Sequence, residues 1–310
     1  MDNTQKKKKK LFRLPKHKEL VYLAMLLPAI LITLVFSYLP MSGILLAFKE
    51  KFMPRLGIWG SPWVKGNPFK WFVEIFKVPK FSTAIWNTLY INLIGILINA
   101  PAPLIFALLL DEVRSTFKKG AVQTISFLPH FLSSAAIISI TLSMLSQYGL
   151  INNLLEMVGS EKIMFRSIEG AFLPTYYIVG LWTGIGWGSM LYVSALSSVP
   201  VELYEAAKID GAGRFRQVMT ISMPCLMPTF AINMIFFIGN IFASSFDLIY
   251  GLQSDVWTTE VIATATYKFG LVNGEYEITT ALGLLQGVIG LMLTMGTNFV
   301  TKKVADVSMW

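Results

Sequence analysis

Six stretches of this chain contain no Asp, Glu, Lys or Arg: residues 20–48, 81–110, 120–155, 170–201, 217–246 and 278–301. Each exceeds the roughly 20 residues that a helix needs to cross about 30 Å of hydrocarbon. In lipid a helix satisfies its own backbone polar groups, so long apolar runs predict helices there. The pattern therefore predicts an all-α integral membrane protein with six transmembrane helices in one unit, residues 20–301. Short tails flank it at 1–19 and 302–310. The first run is too long for the apolar core of a signal peptide and lacks a small-residue cleavage site, so it reads as a retained span.

Composition agrees with the pattern. The chain is 54% hydrophobic and 14% charged, with a mean hydropathy of +0.59, whereas soluble domains carry about 25% charged residues. With six spans both termini share a side, and the distribution of Lys and Arg selects it. The N-terminal tail holds Lys6 to Lys10, Arg13, Lys16 and Lys18, and the second and fourth connections and the C-terminal tail add eight more. The other side holds ten, seven of them in the first connection, residues 49–80. The balance predicts cytoplasmic termini, with residues 49–80 as contrary evidence. The lysine run next to a span reads as a topogenic signal rather than a nucleic-acid patch. One cysteine, Cys225, and two histidines, His17 and His130, exclude a disulfide framework and a histidine-rich metal centre. His130 is expected to cap a helix entrance.

Polar residues inside apolar runs mark packing or a path. In the fifth run Asn233, Asn240, Ser244 and Asp247 recur at intervals of 7, 4 and 3, which one narrow helix face accommodates. Such a stripe, with Phe237 beside it, suits sugar hydroxyls, and equally suits interhelical hydrogen bonds. In the fourth run Gly180, Gly184 and Gly188 predict close helix packing. Trp182 and Trp187 lie about 140° apart on a helix, so at most one of them faces a path. Asn92, Gly95 and Asn99 of the second run read as packing, and Pro101 with Pro103 as a kink.

The fourth connection, residues 198–225, carries the strongest local signal. Pro200 suits a first helical turn, Glu202 favours its positive end, and Gly211 supplies the left-handed residue that ends a helix. A second short helix is expected from 213 to about 220, with Pro224 as a stop before the next span. Glu205-Ala206-Ala207, then Gly211, Ile221 and Met223-Pro224 resemble the EAA loop of ABC importer permeases, where Leu-Pro is more usual than Met-Pro. Residues 39–43, 86–88, 127–129 and 245–250 look like its carbohydrate-uptake branch, the polysaccharide and oligosaccharide permeases.

The resemblance implies a MetI-like fold of the type I importers, with cytoplasmic coupling helices at Glu205, Ala206, Ala207, Gly211, Ile221 and Pro224. It implies a second permease subunit, two copies of an ABC ATPase, an extracellular solute-binding protein and an oligosaccharide substrate. The candidate path residues remain those read from the stripe and the tryptophan spacing: Asn233, Phe237, Asn240, Ser244, Asp247 and Trp182. The resemblance further implies a bacterial cell membrane as the location. No G-x-x-x-x-G-K-[ST] cradle occurs in the chain, so ATP and Mg belong to the partner ATPase. This chain is then a transport subunit and not an enzyme, with no cofactor of its own and no nucleic-acid partner. An ion-coupled secondary transporter is the alternative, though an internal repeat and mid-membrane ion groups are wanting.

Overall fold

The structure is a computed structural model that describes residues 17–254 and 259–305; the lysine run at 6–10 and the end of the C-terminal tail lie outside them. The first span is helix α1 (His17–Thr33), carried on by a π-helical turn (Leu34–Tyr38) and a 3-10 stretch (Leu39–Phe48). Side chains 21–41 are all exposed. Only the end of this span joins a core, where Ala47 is buried with Ile75, Phe81, Phe242 and Leu282.

The first connection holds α2 (Gly57–Gly60) and α3 (Lys70–Lys77). It is fastened by Lys49, fully buried, whose Nζ donates to the Ser61 carbonyl at 2.7 Å and sits 3.7 Å from the Trp63 ring centre. An aromatic face and carbonyl oxygens replace the missing carboxylate around this ammonium.

The second span, α4 (Pro79–Asn99) and α5 (Pro101–Asp111), is interrupted at Ala100. The expected disturbance falls there because Pro101 and Pro103 have no N–H for the carbonyls one turn earlier. The third apolar run departs from expectation. It folds as α6 (Thr116–Phe127) with a 3-10 turn (Leu128–Phe131), then α7 (Ser134–Met144), bent by 103° between them. A separate helix α8 (Leu150–Met157) follows. Pro129 sits in the 3-10 turn, and Ser133 starts α7 afresh by accepting the Ala136 N–H. Ser133 thus performs the capping expected of His130.

Helix α9 (Phe172–Ser197) is the fourth span. Its close approach is made at Gly186, where an added Cβ would lie 2.2 Å from the Ser126 carbonyl oxygen of α6. Gly188 lies against Pro103, whereas Gly180 and Gly184 face open space within this chain, so the expected glycine stripe packs at one of its three members.

After α10 (Val201–Ile209), α11 (Arg214–Gln217) runs through a π-helical turn (Val218–Ser222) into α12 (Met223–Gly239). Residues Arg214–Gly239 form one helix of 26 residues, so Pro224 does not stop it. Pro224 falls in the first turn of α12, next to the π-helical turn, where a missing N–H does little harm. The fifth span ends earlier than expected, at Asn240, and α13 (Phe246–Leu252) is a separate helix. Then come α14 (Ile262–Ala265), a π-helical stretch (Thr266–Val272) and the last span, α15 (Tyr276–Ala305). Among the described residues five helices are long and apolar enough to span a membrane, and the bent α6–α7 pair, counted as one span, brings the number to six.

Candidate functional site

Helices α4, α9 and α12 enclose two adjoining hollows. The first, about 400 Å³, is lined by Asn92, Gly95 and Asn99 of α4, Tyr176 of α9, and Asn233, Phe237 and Asn240 of α12 and its cap. The second, about 370 Å³, adds Pro103, Trp187 and Tyr192. Both are lined by Asn99, Asn233 and Phe237, so they form one furrow. Four amides and five aromatic rings line it, and none of its lining side chains is charged.

Three amides are oriented by the protein. Asn92 donates to Ser244 Oγ at 3.1 Å, Asn233 to the Tyr192 hydroxyl at 3.0 Å, and Asn240 to the Phe236 carbonyl at 2.9 Å. The Asn99 amide has no hydrogen-bond partner among the described residues although it lines both hollows. The Tyr177 hydroxyl donates to the Ile91 carbonyl at 3.0 Å and ties α9 to α4 behind the furrow. Such a surface offers donors and acceptors for hydroxyls and flat rings for the apolar faces of pyranoses.

Of the six candidate path residues, the furrow gathers Asn233, Phe237 and Asn240. The single-face stripe fails beyond Asn240, because the helix ends there. Ser244 supports Asn92 from behind, and Asp247, exposed at the start of α13, accepts from Ser134 at 3.3 Å. Trp182, 42% exposed, lines neither hollow. Trp187 does, with one face covered by His130 in a stack of 4.5 Å between centroids. Asn92, Gly95 and Asn99, read from sequence as packing, belong to the lining. Their shared face was legible; which neighbour it would meet was not.

The loop at 198–225 has its own geometry. Pro200 is the N-cap of α10 rather than its first residue, and Glu202 lies in the first turn. Gly211 adopts φ +76°, with its N–H donating to Lys208 and the Ala212 N–H to Ala207. Those two bonds make a Schellman motif, which satisfies the last carbonyls of the helix. Gln217 Nε2 then donates to the Ala212 carbonyl at 2.7 Å, and Tyr204 pairs with Ser222 at 2.9 Å. These bonds fix the angle between α10 and the long helix that begins at Arg214. Glu205 and Ala206 are exposed, Ala207 and Ile221 half-buried, and Ile209 and Phe215 project at 87% and 80% exposure. Arg214 is paired with Glu112 of the second connection at 3.4 Å.

The chain is 38% identical over 282 residues to Protein LplB of Bacillus subtilis (strain 168), spanning 90% of this chain and 87% of that protein. It is 37% identical over 305 residues to the polygalacturonan/rhamnogalacturonan transport system permease protein YteP of the same organism, spanning 97% and 93%. Its fold matches a chain of the crystal structure of a bacterial alginate ABC transporter in complex with an alginate pentasaccharide-bound periplasmic protein. That match has a TM-score of 0.85 at 32% identity, covering 94% of this chain and 97% of that one. Residues 99–305 match the model of one family, and the chain belongs to it: the binding-protein-dependent transport system inner membrane components.

Proposed function

We propose that this permease subunit of an ABC importer carries an oligosaccharide through the furrow between α4, α9 and α12. The observation that carries the reading is mechanical continuity. A single helix, Arg214–Gly239, begins at the exposed EAA turn and ends at the furrow's Asn240. From Arg214 to Asn233 is about 28 Å at 1.5 Å per residue. A push on Phe215 therefore displaces Asn233 and Phe237 without an intervening loop, and a push on α10 reaches them through the turn at Gly211.

In this reading the EAA loop faces the cytoplasm, both termini lie on that side, and α10 docks into a cleft of an ABC ATPase. Two ATPase copies bind ATP and Mg, and a second permease subunit completes the path. A solute-binding protein delivers the sugar, as the alginate complex illustrates for its own permease. Closure of the ATPases draws the coupling loops together and opens the furrow outward; hydrolysis reverses it. The oriented amides Asn92, Asn233 and Asn240 and the free amide of Asn99 exchange hydrogen bonds with hydroxyls, and Phe237 and Trp187 offer ring faces. No bond in the sugar is made or broken.

The decisive experiment is Glu205→Lys in the assembled complex. Uptake of the sugar should be lost and less ATPase recovered with the permease, while membrane insertion is unchanged. Normal uptake by Glu205→Lys, with normal ATPase recovery, would remove the loop from the drive mechanism and favour the ion-coupled alternative.

A further inference from the structure

Helix α3 has three faces where a helix on a soluble surface has two. At about 100° per residue, Trp71, Phe72 and Ile75 share one sector; Ile75 is fully buried, and the two rings pack against the same core. The next sector holds Phe69, at the helix cap, with Val73 and Phe76, all exposed at 58%, 46% and 61%. The third holds Lys70, Glu74 and Lys77, with Lys70 paired to Glu50 at 2.7 Å and Lys77 to Glu74. A protein-facing, an apolar and a charged sector in sequence suit a helix lying in a membrane–water boundary.

Its position fits. Val78 is at once the C-cap of α3 and the N-cap of the second span, so one residue holds the helix to the point where α4 enters the bilayer. In the same connection Trp59 and Trp63 are 74% and 54% exposed, and tryptophan is enriched at membrane interfaces. Lys51 and Arg55 of the same connection are exposed and make no ion pair among the described residues.

We propose that α3 is an interfacial helix whose Phe69, Val73 and Phe76 enter the acyl-chain boundary of the adjacent leaflet, with Lys51 and Arg55 on anionic phospholipid headgroups. The occupant is lipid because the apolar stripe runs to the span-entry residue Val78, and the connection that carries it also carries the exposed Lys51 and Arg55, which anionic headgroups complement. This use accounts for Lys51 and Arg55 among the seven cations of residues 49–80; Lys49 is buried on Trp63, and Lys70, Lys77 and Lys80 are paired with Glu50, Glu74 and Glu275.

The test is site-directed spin labelling of the full chain with Cys225→Ala, carrying Val73→Cys, Phe76→Cys or Lys77→Cys singly. Vesicles of phosphatidylethanolamine with phosphatidylglycerol are compared with phosphatidylcholine alone. Labels at 73 and 76 should be relaxed severalfold more by oxygen than by a nickel chelate, and the label at 77 the reverse. Replacing Lys51 and Arg55 by Gln should abolish any deeper immersion in the anionic vesicles. Equal nickel access at 73, 76 and 77 would overturn the proposal. So would shielding that appears only when the solute-binding protein is added, which would assign the face to that partner. Immersion is read without transport, so failure here leaves the importer reading standing and failure of that reading leaves this test valid.

Discussion

Gly211 is where sequence, backbone and the proposed drive meet, and a graded series there separates conformational from steric causes. Its φ is +76°, and a Cβ built on it would meet nothing within 4 Å. A substitution therefore costs only the left-handed backbone, about 1 kcal/mol for alanine and up to roughly 2 for a β-branched residue. Asparagine tolerates this region and should be nearly neutral. Converted at 1.4 kcal/mol per factor of ten, the fraction of loops keeping the observed angle between α10 and Arg214 falls by about fivefold for Gly211→Ala. For Gly211→Val the fall is about thirtyfold or less. The assay is sugar uptake per ATP hydrolysed in proteoliposomes holding the whole complex, and the expected order is Gly, Asn, Ala, Val. The reasoning is refuted if Asn impairs coupling as severely as Val, since that would show a partner surface excluding any side chain. It also fails if Val transports normally.

Asn99→Leu and Asn240→Leu should each lower uptake while the complex assembles normally, whereas Asp247→Asn, outside the furrow, should transport normally; normal uptake by both leucine variants would take the furrow off the path. Gly186→Ala sets a methyl 2.2 Å from the Ser126 carbonyl and should destabilise the α6–α9 pair by about 1–3 kcal/mol. Gly184→Ala, which meets nothing within 4 Å, should leave the purified chain's melting temperature unchanged, and equal melting of the two would contradict the packing. In a Cys225→Ala background a cysteine at position 65 should react with an impermeant thiol reagent on intact cells and one at position 8 should not; the opposite pattern would invert the orientation.

Much of the fold was legible because charge-free runs report span number directly, and the EAA turn because its positive-φ glycine and its spacing are local properties. Gly211 could be read from one residue. The furrow needed tertiary information: Asn92 and Asn99 share a face with Gly95 at helical spacing, but the pattern is the same whether that face meets a helix or a cavity. Trp187 was separated from Trp182 only by what α5 and α12 place opposite each. The close approach at Gly186 was hidden among neighbouring glycines, because spacing cannot say which of them faces Ser126.

The two runs whose extents were misjudged, 120–155 and 217–246, fail for a connected reason. Inside a membrane, backbone leaves the helix only where protein or a water-lined cavity satisfies it, so a break has to find a partner. These two breaks are joined. Helix α13, following the end of the fifth span at Asn240, packs on α7, following the bend after Phe131. Ser134 of α7 donates to Asp247 of α13, and Gly251 leaves room for Ile138. Ala243, in the connecting turn, lines the first hollow, and Ser244 beside it holds Asn92. Local rules are most often broken at functional sites. Here they break where the long helix from the EAA turn reaches the furrow, so the irregular turn 240–245 gives the furrow a wall continuous with that helix while α7 and α13 brace it.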